Sequence, residues 1–404
     1  MRLRPLMAML FAFALIAAAC GDSDDSSDSA DTTAAPTTEA TTETSAAEAE
    51  DDMAEEDMSD DDMAEDDMTE EDMSDDMTED EWPESIVFGF VPSQEQETLQ
   101  DDIQPFIDVL ESALGIEVEG VVTTDYTGLV TAMGTGQADL GAFGPFGYTL
   151  GVDQFGNMEA LIQSIRFGSA TYHGQWFTND ASICAEPPLE GAALVNQGGE
   201  VVLVDALEAV ALQVGVFFGD DGKQFGETTD DGDLIVPGSA CIGDLSQVAG
   251  RTIAFTSESS TSGYLFPALQ LDGLGLDASS DVTPVFAGSH DAAVTAVYDG
   301  SADIGLSFDD ARRTIRGERP DVGEQVIVFN ITDEIPNDVV AVRSELPDSL
   351  KDAIYDAVAE FLETEEGEEI FDAIYGWTDV RRAVESDFDV VREAAATLGI
   401  TEPL

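Results

Sequence analysis

Positive charge is scarce in this chain. Lys and Arg number 14 against 86 Asp and Glu, a formal net charge of −72 over 404 residues, and lysine occurs only as Lys223 and Lys351. So few cations cannot neutralise a row of phosphates, which excludes nucleic-acid binding through a basic face. Long apolar runs are lacking too. The one such stretch lies at the extreme N-terminus, which excludes a polytopic membrane protein. The three cysteines, Cys20, Cys184 and Cys241, are too few for a disulfide scaffold of this length. What is present, 43% hydrophobic and 8% aromatic residues, suffices for a sizeable core shared among two or three domain-sized units.

The first twenty residues have the layout of an export signal. Arg2 and Arg4 form a short basic region, and Leu6 to Ile16 form an apolar stretch too short to span a bilayer comfortably. The small residues Ala17-Ala18-Ala19 then precede Cys20 and Gly21. This pattern looks like a bacterial lipobox, which predicts a signal peptide over 1–20 and a lipid on Cys20. Acyl chains on one cysteine supply the paired anchoring that stable membrane attachment requires. An ordinary signal peptide cut near Cys20 is the alternative.

Residues 21–84 carry 29 acidic residues and no basic one. Such a segment cannot bury enough apolar surface to offset its ordering entropy, so a disordered acidic linker is expected. Met53, Met58, Met63, Met68 and Met73 recur every five residues, a spacing that lines no face of a helix or strand. A low-complexity repeat explains them; weak cation binding by thioethers and carboxylates is the sharper reading. At about 5–6 Å × √n the linker reaches roughly 40–50 Å, further with self-repulsion, and would act as a stalk. Residues 85–404 still carry 57 acids against 12 bases, a lysine-poor balance that suits a salty exterior.

The remainder alternates strand and helix. Ser85–Pro92 reads as a strand, and Ile103, Phe106, Ile107, Leu110 and Leu114 follow a helical period that Gly115 ends. Strands are expected over 117–122 and 138–143, with a helix over 126–133 capped by Asp125 and another opened by Gly144-Pro145. The rhythm recurs as strand 251–255, helix 261–271, strand 283–287, helix 290–298 and strand 302–307. Two such runs predict two α/β lobes with largely parallel sheets. The C-terminal 60 residues read as helices packed back on the first lobe. The segment 184–241 differs, since Gly- and Asp-rich turns separate apolar runs, which suggests β-hairpins. Cys184 and Cys241 bracket it and should pair outside the membrane, two free buried thiols being the alternative. The expected boundaries are lobe 1 over 85–183, the β-rich insertion over 184–241, lobe 2 over 242–328 and a return to lobe 1 over 329–404.

Four patches carry chemistry. Ser259-Ser260-Thr261-Ser262-Gly263-Tyr264 sits where a helix should begin, so hydroxyls and free backbone N–H groups would form an anion cradle without Lys or Arg. An over-provisioned N-cap is the plain alternative. Gly288-Ser289-His290-Asp291 offers a second helix start, with one of only two histidines. Tyr126 and Tyr172 can wall a pocket and donate a phenol, though most tyrosines simply pack. Asp309-Asp310 and Asp338 are surface acids of an acidic protein, unless they meet a cationic part of a ligand or accept its proton.

The strings VPSQEQETL, DYTGLVTAM, ADLGAFGPFGY, SSTSGYLFPALQL, GSHDAAVTAVYDGSADIG and IPNDVVAVR, in this order, resemble the substrate-binding proteins of phosphate/phosphite/phosphonate ABC transporters (PhnD-like). The resemblance covers 85–183 and 242–404. It implies a type II periplasmic-binding fold, two α/β lobes joined by two crossings and closing on a ligand. It also implies that Ser260, Thr261 and Ser262 hold the phosphonyl oxygens and that Tyr126, Tyr172 and His290 complete that shell. Asp310 and Asp338 would meet the amine of an aminoalkylphosphonate; Asp310 stands where the family has Glu, and the insertion departs from the family's length. The implied protein is not an enzyme and needs no cofactor or metal. Its partners would be a small phosphorus oxyanion, an ABC permease and, through the lipid, the outer face of the cell membrane, with the protein itself a monomer. Two rivals remain: a ligand-sensing lipoprotein with the same lobes, and a hydrolase using Ser260, His290 and Asp310, against which stands the absence of a GxSxG around Ser260.

Overall fold

The computed structural model describes residues 82–166, 168–205, 208 and 238–400. The expected signal peptide, Cys20, the linker as far as residue 81 with its methionine repeat, and most of the later part of the 184–241 insertion lie outside the described residues.

Strand β1 (Ser85–Phe90) is apolar on both faces and pairs in parallel with β2 (Glu117–Val122) on one side and β3 (Leu140–Phe143) on the other. Burial on both faces is what a near-continuous apolar run is suited to. Helix α1 (Gln96–Leu114) returns the chain and buries Leu99, Ile103, Phe106, Ile107, Leu110 and Leu114 against this sheet. Gly115 ends it at φ 71°, a left-handed position where its N–H reaches the Glu111 carbonyl. Helix α2 (Tyr126–Thr135) starts at Asp125, whose Oδ1 accepts the Gly128 N–H at 2.7 Å. Helix α3 (Pro145–Phe155) opens on Pro145, with Gly144 before it offering no side-chain cap.

Strand β4 (Met158–Ile165) closes this part of the first lobe, and the chain then crosses over 166–170 to β5 (Thr171–Thr178) in a second sheet. A hairpin of β6 (Ala192–Gln197) and β7 (Glu200–Asp205) follows, turning on Gly198 and Gly199, both at positive φ. Cys184 and Cys241 are joined by a disulfide with their Cα atoms 5.7 Å apart. The second lobe continues with β8 (Thr252–Phe255), a wide π-type turn over Thr261–Leu265 that runs into α4 (Phe266–Gly273), β9 (Thr283–Phe286), α5 (His290–Tyr298), β10 (Ile304–Phe308), α6 (Val322–Gln325) and β11 (Ile327–Pro336). Its strand order is β11-β5-β10-β8-β9. The chain returns at Asn337-Asp338 to β12 (Val339–Arg343), and with β13 (Asp379–Arg382) the first sheet has the order β13-β4-β12-β3-β1-β2.

The two α/β lobes are as expected, but their sheets are mixed rather than largely parallel, and their boundaries are not those drawn from the sequence at 183 and 329. Both fall inside the second lobe, because β5 pairs antiparallel with β10 and with β11. Alternation and apolarity identify a strand but not the sheet it joins, and both crossings are direct strand-to-strand passages without a composition change. The C-terminal part also differs from an all-helical reading. Helices α7 (Asp348–Leu362) and α8 (Glu365–Ile374) pack into the first-lobe core, with Phe371 4.8 Å from Phe106. Between α8 and α9 (Asp389–Thr397) lies the edge strand β13. Helix α9 buries Val391, Ala394 and Ala395 against Phe146 and Leu150 of one lobe and Leu265 and Phe266 of the other. Among the described residues no helix is long and apolar enough to cross a membrane.

Candidate functional site

The lobes meet around a partly open cavity of about 50 Å³, and its walls come from both sheets and both crossings. Seven of the eight residues singled out in the sequence line it: Tyr126, Tyr172, Ser260, Thr261, Ser262, His290 and Asp338.

The second lobe supplies the helix start. Ser260 is the N-cap of the 261–265 turn and its Oγ accepts the Gly263 N–H at 3.1 Å. Ser260, Thr261 and Ser262 of this turn line the cavity, where the first N–H groups of a helix carry the positive end of its dipole. Gly263 is required by space, since a Cβ there would stand 2.2 Å from Thr256 Oγ1. Thr261 Oγ1 accepts the Phe146 N–H from the first lobe at 2.9 Å, leaving its hydroxyl proton free to donate. Tyr172, at the start of β5, lines the cavity together with Ser262.

His290 opens α5 behind the cap of Ser289. Its Nδ1 lies 2.7 Å from Ser307 Oγ and 3.2 Å from Thr256 Oγ1. Burial, and then the charge of Arg166, push its pKa down to about 3, so the ring is neutral. With Ser307 donating to Nδ1, the proton stays on Nε2, the nitrogen left for a ligand. From the first lobe, the Tyr126 hydroxyl is buried without a partner. Burial holds that phenol protonated far above its ordinary range, so it remains a donor. An orphaned buried donor costs free energy unless something occupies the space before it.

Charge enters through two residues the sequence reading passed over. Arg166, on the first crossing, pairs with Asp338, on the second, at 2.5 Å. Asp338 Oδ2 also accepts from Trp377 Nε1 at 3.3 Å. Arg313 follows β10, and its guanidinium sits 5.7 Å from the Phe308 ring centre, with that of Arg166 6.0 Å from the same ring. Both arginines have a buried Nε with no acceptor. The expectation of a cradle built without cations is thus corrected: hydroxyls and main-chain donors are present, but two guanidinium groups share the cavity. Nothing in the local patterns SIRFGS and DDARRTI distinguishes these arginines from surface ones, and only the fold brings them together.

Asp310 is the residue the structure removes from the site. It is 2% exposed and does not line the cavity. Both its oxygens bind Arg312, Oδ1 to Nε at 2.8 Å and Oδ2 to Nη2 at 2.6 Å, while Oδ1 also caps the short 311–315 turn. An acid two residues ahead of an arginine in so tight a turn folds onto it and is spent there. A Ser260–His290–Asp310 triad is therefore not assembled.

The two crossings are laced together under the cavity. Asn337 Nδ2 donates to the carbonyls of Ser164 and Ser169 at 3.2 and 2.8 Å, and the Ser164 N–H donates to the Asp338 carbonyl. Across the cleft the His290 N–H donates to the Ser93 carbonyl at 3.0 Å, Thr127 Oγ1 lies 3.1 Å from Ser259 Oγ, and Arg313 reaches Asp372 at 3.9 Å. This is a closed arrangement of the lobes.

Comparison with known proteins agrees with the two-lobe fold. The family described as the periplasmic substrate-binding protein of phosphonate ABC transporters matches residues 88–218 and 188–388. The phosphate-import protein PhnD of Mycolicibacterium smegmatis is 28% identical over 236 residues, 56% of each chain, so the aligned region spans little more than half of that relative. The phosphonates-binding periplasmic protein of Escherichia coli is 20% identical over 316 residues, 78% of this chain and 77% of its own. Among solved structures, PhnD1 of Prochlorococcus marinus in complex with methylphosphonate has a similar fold, with a TM-score of 0.57 and 18% identity over 78% of this chain and 99% of its own.

Proposed function

The chain belongs to the family of periplasmic substrate-binding proteins of phosphonate ABC transporters, and we propose that it is the extracytoplasmic binding component of an importer that captures a small phosphorus oxyanion between its lobes. One observation carries the reading: the 260–262 helix start, His290 and the unpartnered Tyr126 hydroxyl, from opposite lobes, converge on one cavity.

Such a site works by counting donors. The hydroxyls of Ser260, Thr261 and Ser262 and the N–H groups of the first turn meet a tetrahedral anion in the open lobe. Tyr126 then closes over it from the other lobe, and His290 donates through Nε2. Closure exchanges the anion's water for fixed donors and draws the two lobes into the surface a permease would read. Neutral donors and two guanidinium groups bind without covalent chemistry, so release needs only reopening. The lipid on Cys20 and the acidic linker, both read from sequence, would hold the protein at the outer face of the membrane near that permease.

Calorimetric titration of the purified full chain with inorganic phosphate, phosphite and methylphosphonate tests the reading. Saturable binding of at least one is expected, and heat indistinguishable from dilution for all of them would overturn it. Metabolic labelling with a fatty acid, lost in Cys20→Ala, tests the anchor separately.

A further inference from the structure

The cavity carries information about which oxyanion it takes. Asp338 is the one carboxylate among the described residues that line it, and its Oδ2 already accepts from both Arg166 and Trp377. A ligand ammonium reaching for that acid would have to share it with a guanidinium held at 2.5 Å. The remaining charge is cationic: Arg313 and Arg166 both line the cavity within 6.0 Å of the Phe308 ring centre, and each has an Nε buried without an acceptor. Asp372 stands 3.9 Å from Arg313, too far to saturate it. With His290 neutral, the lining holds two guanidinium groups against one carboxylate. An added ammonium brings a third buried cation, whereas an added dianion supplies acceptors to orphaned donors and brings the charge closer to balance. The space is small as well, about 50 Å³, room for a few water molecules or a phosphorus acid with little attached.

We propose that the site is specific for small phosphorus oxyanions without an amine, such as phosphate, phosphite or methylphosphonate, and that Arg166 sets this specificity by occupying Asp338. The inference rests on the function proposed above and sharpens it. Arg166 acts twice, as a countercharge to the anion and as a partner of the one acid that lines the cavity among the described residues.

The test is calorimetry of the full chain with four probes: inorganic phosphate, phosphite, methylphosphonate and 2-aminoethylphosphonate. In the unmodified protein the best unaminated probe is expected to bind at least tenfold tighter than 2-aminoethylphosphonate. Arg166→Gln releases Asp338 and is expected to narrow or reverse that ratio by tenfold or more. Asp338→Asn, which needs no refolding of the arginine, is expected to leave the preference intact. Equal or tighter binding of 2-aminoethylphosphonate by the unmodified protein, or its selective loss in Asp338→Asn, would overturn this inference alone. Failure of all four probes would overturn the proposed function beneath it.

Discussion

The Thr261 hydroxyl accepts the Phe146 N–H at 2.9 Å, so a residue of the second lobe caps a helix of the first. Gly144, at the N-cap of α3, has no side chain to do this itself. Closure and helix capping are therefore one event. Thr261→Ala removes both this bond and a hydroxyl facing the ligand, and is expected to weaken methylphosphonate binding by about 1–3 kcal/mol, with Thr261→Ser restoring most of it. Calorimetry decides; an unchanged affinity would take this residue out of the site.

Asp310 is expected to matter for stability and not for ligand. Burial alone would push its carboxyl up, but the charge and hydrogen bonds of Arg312 overcome this and hold it below the usual carboxylate range. Asp310→Ala leaves the Arg312 guanidinium, 3% exposed, without its counterion. A loss of about 3–5 kcal/mol is expected in urea unfolding, with ligand affinity of the folded protein unchanged. A variant as stable as the parent would contradict the pairing.

A buried and a half-buried group titrate in opposite senses. The folded pKa of His290, about 3, is below its ordinary 6.5, so between these values the unfolded chain takes up a proton the fold refuses, and stability falls as pH falls. Burial raises Asp309 from 3.8 to about 6, so between these values the fold takes the proton first, and stability rises as pH falls. Relative to the parent, His290→Gln should gain stability on acidification from pH 6 to 4, and Asp309→Asn should lose it. Urea midpoints at several pH values measure both, and parallel curves for all three proteins would refute the assignment.

Gly263→Ala places a methyl 2.2 Å from Thr256 Oγ1, the hydroxyl that also approaches His290. A destabilisation of about 1–3 kcal/mol and weaker anion binding are expected together. Thermal unfolding and titration of the same preparation check the pair; full stability would mean the turn opens freely.

The Cys184–Cys241 bond closes a loop of 57 residues in sequence separation. In the chain-entropy model its loss by double substitution with Ser costs about 3–4.5 kcal/mol. Binding should stay within twofold, since neither cysteine lines the cavity. A large change in affinity with little change in stability would reverse that view.

Much of this molecule was legible in its residues, for identifiable reasons. The apolar spacing from Leu99 to Leu114 and the helix stop at Gly115 are local signals, and the helix stands where they point. The Ser260–Ser262 cap was readable because hydroxyls at a helix start have few other uses. The sheet partner of Thr171–Thr178 was not readable, because pairing with β10 and β11 depends on segments over 100 residues away. Arg166 and Arg313 were missed for the same reason, since an arginine's role depends on what the fold sets opposite it. Asp310 reads from sequence as a surface acid or, by resemblance, as the partner of a ligand amine, and the fold instead buries it against Arg312.

Arg166 and Asp338 stand on the two chain passages between the lobes and also touch the cavity. On the proposed function, the fulcrum of lobe closure thus lies beside the captured molecule. A few atoms of cargo resting near the pivot set the pose of everything further out, as a small wedge beside a door's pin decides how far the door swings. Sensitivity to cargo and command over distant surfaces need no relay between them here, because the same two side chains belong to both.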